Sequence, residues 1–127
     1  MKTLVRKVGQ LKKVLEAQRG EFTLYALALP EDTIAWDLLV AAKWIDDDQP
    51  AALQYLVKQV QGILTKQELL NLSGILLFDS NKLDESGTSI DSETGREESN
   101  IDFFGRRVQK VYVFTAPLED FHVSMSQ

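Results

Sequence analysis

Apolar and polar residues change their period several times along the chain, and each change marks an element. In residues 3–18, Leu4, Val8, Leu11 and Leu15 recur at three- and four-residue intervals, with Val5 and Val14 beside them, while Lys2, Arg6 and Lys13 point away. This spacing predicts an amphipathic helix, and Gly20 supplies its stop. Residues 21–29 are rich in Phe, Thr, Tyr and Leu and end at Pro30, which predicts a strand followed by a turn.

Residues 34–45 fit two templates. Pro30 followed by Glu31 and Asp32 is a helix-start pattern. Yet Trp36, Leu38, Val40, Ala42 and Trp44 share one face at period two, with Asp37 and Lys43 on the other. A second strand, hairpinned to the first, is the better fit.

Asp46, Asp47, Asp48, Gln49 and Pro50 then open the clearest helix of the chain, with Leu53, Leu56, Val57, Val60, Ile63 and Leu64 as its apolar stripe. Thr65-Lys66-Gln67-Glu68 is a capping box and predicts a further short helix ending near Leu72. The continuous apolar run 74–78 suits a strand buried on both faces. Residues 80–100 are polar, with only Leu83 and Ile90 as large apolar side chains, and read as a long acidic loop. Residues 107–115 form the last clear strand pattern, and Phe121-His122-Val123 adds a short edge.

The expected order is α-β-β-α-α-β-loop-β. Strands in runs, without regular βαβ alternation, predict an α+β fold. It would be one domain over residues 1–127, with a mainly antiparallel sheet of about four strands and helices packed on one face.

Composition agrees with a folded domain. The hydrophobic fraction of 44% and the charged fraction of 26% exclude disorder for the chain as a whole. The absence of cysteine excludes disulfides, thiolate catalysis, zinc–cysteine sites and iron–sulfur clusters. The opening Met1 to Lys7 lacks a long apolar core, so no secretory signal is expected and the setting is read as cytoplasmic. No stretch is long and apolar enough to predict a membrane span.

Charge is more informative in its distribution than in its sum. The net charge is −5, which argues against nucleic acid as a general partner. Residues 1–20 carry six basic side chains against Glu16 alone, whereas residues 79–102 carry eight acids against Lys82 and Arg96. The acids of the late segment are therefore expected to meet basic residues, in this chain or on a partner.

No catalytic constellation emerges, and whether the chain is an enzyme stays open at this point. Asp120, His122 and Ser124 spell a triad, but alternate residues of one strand stand about 6.5 Å apart, too far for side chains that must touch. Asp46, Asp47 and Asp48 suit helix capping better than a hard cation, because consecutive residues do not converge on one point. No cofactor and no metal are expected. Arg106, Arg107 and Lys110 are a candidate contact for an anion or a partner, although no phosphate-binding glycine motif accompanies them. Ile101, Phe103 and Phe104, beside the acidic segment, are a candidate interface.

The functional expectation is a small interaction or accessory module without catalytic activity, binding a protein partner or itself as a homodimer. The alternative is a small-ligand binder or enzyme whose cleft gathers Asp37, Lys43 and the Arg106/Arg107 pair.

Overall fold

The computed structural model describes residues 2–83 and 89–117, and the backbone of residues 121–122. It is a single small α+β domain, as expected. Helix α1 (Lys2–Arg19) leads into a hairpin of β1 (Leu24–Pro30) and β2 (Trp36–Ala41). Three helices follow: α2 (Lys43–Asp47), α3 (Gln49–Ile63) and α4 (Lys66–Leu70). Then come β3 (Leu72–Leu77), a 3₁₀ turn (Ser80–Lys82), β4 (Ser89–Phe103), β5 (Arg106–Pro117) and the two-residue β6 (Phe121–His122). The sheet order is β3-β2-β1-β5-β4-β6. All neighbours are antiparallel except β2 and β3, which run parallel because three helices separate them in sequence.

The helices lie on one face. Leu4, Val5, Val8, Leu11 and Leu15 of α1 and Ala52, Leu56 and Val60 of α3 bury against Tyr25, Leu27, Trp36, Leu38 and Val40. The Tyr25 hydroxyl donates to the Val8 carbonyl at 2.7 Å, which ties α1 to the central strand. Full burial pushes this phenol's pKa well above its ordinary value. Local signals act as read: Asp48 accepts from the Ala51 N–H at the start of α3, and Thr65 with Glu68 closes the capping box of α4.

The second face is covered by the sheet itself. Leu24, Ala26, Ala28, Leu39 and Ala41 pack with Ile90, Ile101, Phe103, Val108, Val111 and Val113. The Phe104 ring, at the β4–β5 turn, stands 6.0 Å from the Phe78 ring just beyond β3. In a flat sheet β3 and β4 would be roughly 19 Å apart, so the β4–β5 hairpin rolls back over this face. Its two-residue turn, Phe104-Gly105, has positive φ at both positions (51° and 79°), the type I′ geometry whose twist matches that of the strands.

Four expectations are corrected. The segment 34–45 is strand only to Ala41; the Ile45 and Asp46 N–H groups both donate to the Ala42 carbonyl and start a helix instead. The predicted loop at 80–100 is mostly β4, whose hydrogen bonds come from β5 and whose apolar residues sit near its ends, where it buries. Period-two patterning is therefore missing from its middle. The run 74–78 belongs to an edge strand, half-buried rather than buried on both faces. The sheet has six strands rather than about four.

Candidate functional site

The acidic strand meets the basic helix within the chain. Between Asp91 and Arg96 the β4–β5 register shifts, so residues 92–95 bulge out opposite Phe114. Gly95 sits at φ 87°, where only glycine is unstrained, and its N–H donates to the Ser92 hydroxyl. The bulge lies along α1. A Cβ on Gly9 would stand 2.7 Å from Phe114 Cε1 and 3.1 Å from the Glu93 carbonyl oxygen, so helix and bulge touch at backbone distance.

Lys13 donates to Glu93 at 2.5 Å, and Lys12 reaches Glu16 at 3.1 Å and Asp91 at 3.9 Å. The Lys13 hydrogen bond is the main reason the Glu93 carboxyl is held below its ordinary range. Lys7 pairs with Glu68 of α4 at 2.8 Å, and that hydrogen bond likewise lowers the Glu68 pKa. The Arg19 guanidinium lies 4.1 Å from the centre of the Tyr55 ring. Most of the basic face of α1 is therefore engaged inside the fold.

The same holds for the cations of the hairpin. Arg106 lies 3.4 Å from Asp37, Arg107 pairs with Glu31 and Asp102, and Lys110 pairs with Glu97 at 3.2 Å. The candidate anion contact is thus met by carboxylates of its own chain. Asp37, on the strand face opposite Trp36 and Leu38, is buried beneath the rolled hairpin, whose Arg106 reaches it. Lys43 is exposed at the start of α2, six residues further on and beyond the other end of β2, so it does not join Asp37 in a cleft. It borders a separate pocket of about 380 Å³ with Glu21, Thr23 and Ser89.

Ile101 and Phe103 are fully buried in the second-face core and Phe104 is half-buried against Phe78, so the candidate interface is largely internal. Rolling of the hairpin is the physical reason. Asp120 and Ser124 lie outside the described residues, and His122 is placed only by its backbone pairing with Asp102. Among the described residues no group of three or more His, Asp or Glu side chains is positioned to hold a metal. Among the same described residues no helix is long and apolar enough to cross a membrane.

Two surface features stand apart from these internal contacts. A groove of about 430 Å³ runs between α1 and the bulge, lined by Arg6, Gln10, Lys13, Glu93, Thr94 and Tyr112. The other is the outer edge of β3. The Phe78 N–H donates to the Val40 carbonyl, and strand residues alternate in direction, so Gly74 and Leu76 also face β2. Ile75 and Leu77 therefore turn their N–H and C=O groups outwards, where no strand of the described residues neighbours β3.

No charged residue occurs in residues 69–78, and Leu70, just before the strand, is 82% exposed. Natural edge strands are usually guarded by Lys, Pro or a covering element. The sequence does carry the signal for this edge, a ten-residue run without charge, but apolar character alone reads equally as a central strand. Comparison with protein-family models, curated proteins and solved structures yields no match, so the functional reading rests on this geometry.

Proposed function

We propose that the chain is a non-catalytic interaction module, cytoplasmic in setting, that takes a protein strand onto the open edge of β3. The observation that carries this reading is the outward pair of backbone groups at Ile75 and Leu77 on a strand without charge or proline. Strand addition supplies main-chain hydrogen bonds, and alternate side chains supply selectivity. The hairpin cations and Lys7, Lys12 and Lys13 of the basic helix are paired with the fold's own carboxylates, which weakens both as docking surfaces.

The test is a labelled peptide carrying residues 71–79, titrated by fluorescence anisotropy and followed by amide hydrogen exchange. With the chain diluted until it sediments as a monomer, saturable binding with slowed exchange at Ile75 and Leu77 is expected. Binding that leaves those two amides unprotected would place the docking surface elsewhere and overturn the reading.

A further inference from the structure

We propose that the strand added to β3 is β3 of a second copy, paired antiparallel across a two-fold axis through Leu76. This rests on the strand-addition reading and names its occupant. With the axis at Leu76, Ile75 stands opposite Leu77 of the second copy, and Leu77 opposite its Ile75. Both residues turn their backbone groups outwards, so each pair exchanges two N–H···O bonds.

Opposed residues share a face of the sheet. Ile75 and Leu77 pack on the helix side, so the apolar row continues from one copy into the other and both sets of helices lie on one side. On the second face Leu76 meets Leu76, and Gly74 meets Phe78. A Cβ placed on Gly74 has no atom within 4 Å, so there is room beside it for the incoming ring.

Charge does not oppose this occupant at the edge. Two copies at −5 each repel wherever their acids face one another. Residues 69–78 are a margin where they approach without opposition. The same stretch holds no acid or base to recruit a partner of high charge. Each chain offers one such edge among the described residues, so the pairing closes at two copies instead of propagating.

The chain has no cysteine, which makes the register directly testable. Residues opposed without mutual hydrogen bonds have Cα atoms about 4.5 Å apart, inside the range a disulfide spans. Leu76→Cys is expected to give a cross-linked dimer under mild oxidation. Ser73→Cys is the control, since in this register the two copies of residue 73 are roughly 20 Å apart. Sedimentation of the unmodified chain is expected to give twice the 14.3 kDa chain mass. Gly74→Lys, at a position with open space and no positive φ, is expected to give a folded monomer.

A monomer at high concentration, or cross-linking of Ser73→Cys as efficient as that of Leu76→Cys, would overturn the proposal. If such a monomer still binds the 71–79 peptide through Ile75 and Leu77, strand addition stands and only self-pairing falls. If it does not bind, both fall.

Discussion

The two long margins of the sheet are managed in opposite ways. β4 spans fifteen residues, carries Asp91, Glu93, Glu97, Glu98 and Asp102, bulges at residues 92–95 and is capped at one end by β6. β3 spans six residues and carries no charge, and its outward groups at Ile75 and Leu77 have no neighbouring strand among the described residues. Charge and bulges on an edge discourage further pairing, and their absence invites it. One margin is closed by its own chain; the other has no pairing strand among the described residues.

The largest expected effect tests whether the β4 margin is closed by a core. Phe103→Ala empties a fully buried site and is expected to cost about 3–5 kcal/mol in denaturant unfolding. Unchanged stability with an altered oligomeric state would return Phe103 to an interface and erase the contrast. Gly9→Ala comes next: its methyl group would press on the buried Phe114 ring and the Glu93 backbone, for a cost of about 1–3 kcal/mol. A neutral result would show that the bulge is not seated on α1.

Arg106→Ala leaves the Asp37 carboxylate buried without its partner. Because Arg106 is partly exposed, a cost near the low end, about 1 kcal/mol, is expected. Acid acts more gently. Glu93 and Glu68 have carboxyl pKa values lowered by their lysine partners, so their contribution is complete above their ordinary value of 4.5 and is lost as pH falls through the lowered values. Glu93→Gln is expected to lower stability slightly at neutral pH and to flatten its fall below pH 4.5, so that the two chains converge in acid. Gly74→Lys should have the smallest effect on folding, within about 0.5 kcal/mol, and act on assembly alone.

What was legible in the chain followed local chemistry. The stripe of α1, the Asp48 cap, the Thr65–Glu68 box and the β1–β2 hairpin are each decided by neighbours in sequence, and each is present, the hairpin with its second strand ending at Ala41. β4 was illegible because its partner, not its own side chains, holds it extended. The burial of Asp37, Ile101 and Phe103 depends on the roll of the hairpin, which no periodicity encodes. The open edge of β3 is a fact of strand order: the same residues beside a seventh strand would read identically.

The central position of β1 has a consequence for synthesis. Its outer neighbour is β5, and Ala28 pairs with Val111, 83 residues later. At about 5–20 residues per second, a ribosome needs roughly 4–17 s to deliver that partner. Throughout that interval the most apolar strand of the chain, LYALALP, waits with one side unpaired. A nascent chain stalled before residue 106 should therefore be a strong client for chaperones that hold extended apolar segments, and the completed chain should not.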